Sequence, residues 1–187
     1  MLPQSSFKKK FIPLLFILIF FHIKPLRSEE PQHSFAMSSK GYIAESRQSA
    51  GSFIFGMSYF NAFRKKRNAF EGRLEYRSDI NLLNIKPFMG ITFSSAGAFF
   101  GMAGFYYDFI LWNNIIFTPR FAGGYFNKGS GIDLAYELEF RTQFEISYLL
   151  QNNTRIGFAF YHISNGNLGR SNPGAESFSF IYSLPIN

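Results

Sequence analysis

The chain has 187 residues, no cysteine and 26 phenylalanines, and its formal net charge is +7. This length suits a single domain, and the lack of cysteine excludes a disulfide framework or a thiolate metal site. The three histidines (His22, His33 and His162) do not cluster in the sequence. We therefore expect neither a metal nor a cofactor.

The first 28 residues predict a cleaved signal peptide, with an uncleaved anchor as the alternative. Three lysines at 8–10 precede the apolar run "FIPLLFILIFFHI", which is shorter than the roughly 20 residues of a membrane-spanning helix. Removing residues 1–28 takes away five of the 19 basic residues and none of the 12 acidic ones, so residues 29–187 carry a net charge of only +2. The basic composition therefore does not argue for nucleic-acid binding.

Strict alternation of apolar and polar residues in two segments indicates β-strands. Residues 69–77, "AFEGRLEYR", and residues 137–148, "ELEFRTQFEISY", each place charged side chains on one face and apolar side chains on the other. In a soluble sandwich the apolar face would contact a second sheet. In a membrane barrel it would contact lipid, and the Arg and Glu side chains would pair in the lumen.

The same alternation predicts an all-β fold, an eight-stranded antiparallel up-and-down transmembrane β-barrel over residues 29–187. Pro119 in the fifth strand predicts a bulge or kink, because proline donates no ladder hydrogen bond. With the N-terminus in the periplasm, the basic "RKKR" turn (64–67) and the loop 165–174 would both lie outside the cell. The basic turn could be simply solvated, or it could contact anionic lipid headgroups. The predicted strands are 51–61, 69–78, 86–94, 98–110, 114–125, 136–150, 154–164 and 175–185.

The last hairpin contains the residues that could carry chemistry. Because alternate residues of a strand share a face, His162 and Ser164 lie on the phenylalanine face of the predicted seventh strand. Glu176 lies on the phenylalanine face of the predicted eighth strand, and all three are at the outer rim. A loop centred on Gly169 gives opposed residues whose numbers sum to 338, which pairs His162 with Glu176. Glu176 could then orient His162, and His162 could remove the proton of Ser164. Each residue alone also has a purely structural explanation at a strand end or turn.

These residues carry a resemblance to a known family. "FYHISNGNLGRSNPGAESFSFIYSLP" resembles the signature of the outer-membrane lipid A 3-O-deacylases (PagL type), and the likeness extends upstream through "IKPFMGITF", "FTPRFAGGYF" and "LEFRTQFEISYLL". The resemblance implies an eight-stranded barrel with Ser164 as nucleophile, His162 as base and Glu176 as the orienting acid. It also implies that Asn165 stabilises the oxyanion and that Asn172 shapes the loop.

The sequence departs from the family pattern at two places. Gly166 follows "SN" where alanine is expected, and the chain ends in Ile186 and Asn187 instead of the terminal aromatic residue common in outer-membrane barrels. The first departure removes no catalytic group. The second concerns recognition by the assembly machinery.

The resemblance implies a serine esterase that hydrolyses the 3-position acyl ester of lipid A. We expect export through the inner membrane, location in the bacterial outer membrane, and lipid A and outer-membrane lipids as partners, with no nucleic acid and with a homodimer left open. The alternatives are a non-enzymatic barrel with a structural or adhesive role and, more remotely, a soluble periplasmic sandwich.

Overall fold

The computed structural model describes residues 51–186 apart from positions 65, 84 and 113. The predicted signal peptide and residues 29–50 lie outside the described residues. Within these ranges, no helix is long and apolar enough to cross a membrane.

In the described part of the chain, nine β-strands form one antiparallel sheet. Their bounds agree with the predicted strands to within about two residues, except that the predicted fourth strand is divided in two around positions 107 and 108. The strands are β1 (Ser52–Phe60), β2 (Ala69–Arg77), β3 (Lys86–Ser94), β4 (Phe99–Tyr106), β5 (Phe109–Trp112), β6 (Ile115–Asn127), β7 (Leu138–Leu149), β8 (Arg155–Ser164) and β9 (Ala175–Pro185).

The sheet closes into an eight-stranded barrel, in which β4 and β5 together count as one strand. β1 pairs with both β2 and β9, and β4 pairs with β3 on one side and with β6 on the other, which completes the ring. The short β5 follows β4 in the same position of the barrel wall and pairs with the start of β6. Closure removes the free sheet edges that lipid cannot satisfy. The predicted eight-stranded barrel is confirmed.

The irregularity expected at Pro119 lies in the neighbouring strand. The β6–β7 register runs without a shift through Pro119, which is opposite Phe144, so a bulge at this position was a wrong prediction. The carbonyl of Pro119 accepts a hydrogen bond of 3.2 Å from the Tyr107 N–H, but proline has no N–H to donate in return. The strand that faces Pro119 is interrupted at this point, between β4 and β5. A shift in the β5–β6 register follows between Ile110 and Trp112.

The inner face of the barrel is polar and holds paired charges. Glu75 accepts hydrogen bonds from Arg120 at 2.5 Å and from Arg141 at 2.6 Å, and Arg77 pairs with Glu145 at 2.5 Å. All five side chains are buried. The outer face is a belt of exposed aromatic and aliphatic side chains. The predicted division into a charged lumen and an apolar lipid-facing surface is confirmed.

Four connections meet at one end of the barrel, which we call the site rim. They are the turn 61–68, the turn 95–98, the loop 128–137 and the loop 165–174. Ser130 N–H donates to the Ala96 carbonyl at 2.9 Å, and the buried Leu134 joins an apolar cluster inside the barrel. The loops at the site rim are therefore held to one another and to the core.

Candidate active site

The three candidate catalytic residues share the outer face of the last hairpin at the site rim. Along β8 the side chains alternate between buried and accessible, and His162 and Ser164 are on the accessible side with Phe158 and Phe160. Along β9 Glu176 is on the accessible side with Phe178. These placements agree with the faces predicted from the alternation of residues in the sequence.

The predicted hairpin register is confirmed. His162 is opposite Glu176, and Phe160 is opposite Phe178. His162 Nδ1 lies 3.1 Å from Glu176 Oε1, and the two side chains are 43% and 30% exposed. Because an ionised carboxylate only accepts hydrogen bonds, Nδ1 carries the proton, and in the neutral ring Nε2 keeps a lone pair. The pair thus presents a base that solvent or a ligand can approach.

Ser164 lies one pleat beyond His162 on the same face, half-buried and opposite Phe140 of β7. Residues two apart on a strand are about 7 Å apart along the chain. Among the described residues, the hydrogen bonds include the bond from His162 to Glu176 but none from Ser164 to His162. In proteins without a bound substrate such bonds are often long and tighten only in the complex.

Gly174 brings the loop against the imidazole ring. Its φ is +57°, in the left-handed region, and a Cβ at this position would lie 2.7 Å from His162 Cε1. Only glycine combines this backbone angle with so close an approach. The "NPG" sequence therefore positions His162 as well as turning the chain.

Asn165 and Asn172 hold the loop together. The buried Asn165 amide donates to the Leu134 carbonyl at 2.9 Å and to the Ser171 carbonyl at 2.8 Å, and the Asn165 backbone N–H donates to Asn172 Oδ1 at 3.1 Å. This geometry fits the predicted support of the loop. Both donor groups of Asn165 already have partners, so oxyanion stabilisation by Asn165 would require one of these bonds to open.

The turn 61–68 contacts the last hairpin, which was not predicted from the sequence. The Ala62 N–H donates to the Glu176 carbonyl at 2.8 Å, and Arg64 donates to the Pro173 carbonyl. The ring of Phe63 packs against Phe178 at a centroid distance of 5.7 Å and stays 66% exposed. An aromatic residue in an otherwise polar turn was the one signal in the sequence.

The basic "RKKR" segment is more than a solvated loop. Besides the bond from Arg64, Arg67 Nη1 donates to the Gly131 carbonyl at 3.4 Å, so two of its arginines tie the turn to two other loops of the site rim. Lys65 is not among the described residues. In the part of the chain that the structure describes, no three potential metal ligands come together.

Comparison with known proteins places these features in a family. The family profile of the lipid A 3-O-deacylase (PagL) matches residues 55–185. None of the curated proteins compared with the chain is significantly similar to it in sequence.

Two solved structures share the fold. The crystal structure of the outer membrane enzyme PagL is 20% identical, with a TM-score of 0.56 over 72% of this chain and 99% of that one. A de novo designed transmembrane β-barrel is 6% identical, with a TM-score of 0.53 over 75% of this chain and 98% of that one. Because the family profile covers the barrel from β1 to β9, the chain belongs to the PagL family of lipid A 3-O-deacylases.

Proposed function

We propose that the protein is a lipid A 3-O-deacylase of the bacterial outer membrane, reached by export through the inner membrane. The observation that carries the proposal is the hydrogen-bonded pair of His162 and Glu176 on the lipid-facing side of the barrel. A half-exposed polar pair among phenylalanines is energetically costly in a membrane. Its presence therefore favours a functional role. Membership of the family supplies the substrate class.

In the proposed reaction, Ser164 Oγ attacks the carbonyl carbon of the 3-position ester while His162 Nε2 accepts the hydroxyl proton. The tetrahedral intermediate collapses with cleavage of the bond to the sugar oxygen, and His162 returns the proton to that oxygen. Water, deprotonated by His162, then attacks the carbonyl carbon of the acyl-enzyme. The second tetrahedral intermediate collapses with cleavage of the bond to Ser164 Oγ, His162 returns the proton to that oxygen, and a 3-hydroxy fatty acid is released. Glu176 holds the ring in the productive tautomer and stabilises its protonated form.

The phenylalanines below the pair are suited to hold the acyl chains. Phe158 packs against Phe180 at a centroid distance of 5.5 Å, and Phe160 packs against Phe178 at 5.3 Å. The two pairs continue directly from His162 and Glu176 along the outer face. An acyl chain lying along them would place its ester at the rim, beside Ser164.

Asn165 and Asn172 have a positioning role in this proposal. Their hydrogen bonds fix the backbone that follows Ser164 and precedes Gly174. Gly174 in turn contacts the His162 ring. The loop therefore keeps the proposed nucleophile and base in register.

The test is the incubation of the purified, refolded protein with lipid A, followed by mass spectrometry of the lipid and of the released fatty acid. We expect the wild type to release the 3-position 3-hydroxyacyl chain and Ser164→Ala to lose this activity by at least about 10³-fold. Ser183→Ala, on the lumen face of β9, is the matched control and keeps full activity. Unchanged deacylation by Ser164→Ala would refute the mechanism. A wild type that leaves lipid A intact would favour a non-enzymatic barrel.

A further inference from the structure

A basic cavity opens at the site rim, beside the loop of the candidate active site. It has a volume of about 450 Å³ and is lined by Arg64, Lys66, Arg67, Ile132 and Asp133. The turn 61–68 supplies all three cations, and the loop 128–137 supplies the opposite wall. A phosphate-sized anion has room in this cavity.

Hydrogen bonds hold both arginine side chains of this cavity and the backbone of Lys66. Arg64 is tied to the Pro173 carbonyl and Arg67 to the Gly131 carbonyl. The Lys66 carbonyl accepts a hydrogen bond of 3.0 Å from the side chain of the buried Asn61. An anion that binds here meets two guanidinium groups already tethered to other loops, so the entropic cost of fixing these long side chains is smaller than on an ordinary basic surface.

The acidic side chain in the wall already has a cationic partner. Lys128 Nζ lies 2.5 Å from Asp133 Oδ2, and the hydrogen bond from Lys128 lowers the pKa of Asp133. Lys128 therefore offsets part of the negative charge of Asp133. Among the described residues, Lys66 has no ion pair, and its ammonium group is available to a ligand.

The cavity is connected to the candidate active site through two adjacent residues. Arg64 contacts Pro173, and the next residue, Gly174, packs against the His162 ring. The same turn places Phe63 on the phenylalanines that continue from the site. A ligand could thus occupy the cavity with its polar head while its acyl chain lies on the outer face.

We propose that this cavity binds a phosphate group on the sugar backbone of the lipid substrate and so fixes which ester reaches Ser164. The inference rests on the proposed function. Phosphate oxygens accept from guanidinium and ammonium donors in charge-assisted hydrogen bonds, and arginine can bind them through two parallel bonds. The bound phosphate would hold the sugar at the rim.

The first test compares hydrolysis of phosphorylated and enzymatically dephosphorylated lipid A in non-ionic detergent micelles at fixed ionic strength. Lys66→Gln and Arg67→Gln should each raise KM for the phosphorylated lipid by about fivefold with little change in kcat. Neither should alter hydrolysis of the dephosphorylated lipid. Arg170→Gln, an exposed arginine of the loop 165–174 outside the cavity, is the matched control and should leave both substrates unaffected.

Two outcomes of this test would overturn the proposal. An equal loss in Arg170→Gln would mean that the surface attracts anionic micelles without a specific site. An equal loss on both lipids would mean that Lys66 and Arg67 act only through the conformation of the turn. Lys66→Gln guards against this ambiguity, because it leaves both arginine tethers intact.

The second test separates this proposal from the proposed function. Binding of the two lipids to Ser164→Ala protein is measured by calorimetry, without any turnover. Tighter binding of the phosphorylated lipid, reduced by Lys66→Gln, supports the cavity even if the wild type hydrolyses nothing. Equal binding of both lipids overturns it even if the wild type is active. Inorganic phosphate that binds as tightly as the phosphorylated lipid would overturn the assignment to the lipid.

Discussion

The inner and outer faces of this barrel both carry a carboxylate that contacts a basic side chain, but in opposite settings. Glu75 is buried in the lumen and accepts from Arg120 and Arg141. The Glu176 side chain is 30% exposed on the outer face, and among the described residues its carboxylate pairs with His162 alone. The paired charges in the lumen hold one another and cannot reach a ligand in the membrane. The outer pair keeps one ring nitrogen free. The comparison separates charge that holds the fold from charge that is available for chemistry.

Glu75→Gln should cause the largest loss of stability and thereby sharpen this comparison. The substitution removes the carboxylate that pairs with three buried guanidinium groups, those of Arg73, Arg120 and Arg141, and breaking a buried pair costs about 3–5 kcal/mol. Activity per folded molecule should stay unchanged, because the site is on the other face. Unfolding in denaturant in detergent micelles measures the first effect, and lipid A hydrolysis by the folded fraction measures the second.

Glu139→Gln is the matched control for this substitution. Glu139 is also fully buried in the lumen, but its two carboxylate oxygens have no hydrogen-bond partner among the described residues. Neutralising it should cost less than about 1 kcal/mol or stabilise the barrel. A destabilisation as large as that of Glu75→Gln would contradict the structural role assigned to the ion pairs.

Glu176→Gln should have the opposite signature. Removing the charge that stabilises the protonated His162 should lower kcat by about 10²-fold with little change in KM, because the interaction matters most in the transition state. The free energy of unfolding should change by less than about 1 kcal/mol, since the pair is half exposed. Comparable rates for the variant and the wild type would remove Glu176 from the mechanism.

Phe63→Ala should have the smallest effect and tests whether position on the outer face matters. Loss of the ring that packs on Phe178 should lower kcat/KM about tenfold for lipid A with a 3-position chain of about fourteen carbons, and less for a chain of about ten. Phe93→Ala is the control: Phe93 is 55% exposed in the same apolar belt and packs on Phe99, in β3 and β4, away from the last hairpin. Equal effects of the two substitutions would show that the belt acts only through the membrane.

The sequence predicted the wall of the barrel better than its rim. Alternation with period two determines which side chains face lipid. Centring the last loop on Gly169 gives the register that pairs His162 with Glu176, and a slip by one residue would invert every side chain. The boundaries of the strands followed from the same pattern. These features depend on local periodicity, and one sequence contains that information.

The contacts between loops could not be predicted in this way. The bonds from Arg64 to Pro173 and from Asn165 to Leu134 join residues 109 and 31 positions apart, and nothing in the local pattern indicates either of them. The interruption opposite Pro119 was assigned to the wrong strand for a related reason. The missing N–H of a proline affects the strand that pairs with it. Which strand this is depends on how the barrel closes.

The central claim is that Ser164 is a nucleophile activated by the outer-face pair. The most direct measurement is covalent labelling with a long-chain fluorophosphonate, followed by peptide mass spectrometry, on protein that hydrolyses lipid A. We predict one adduct, on Ser164, that forms at least about 10²-fold more slowly in His162→Ala. An active protein in which the adduct forms on another residue, or on Ser164 at the same rate without His162, would contradict the account.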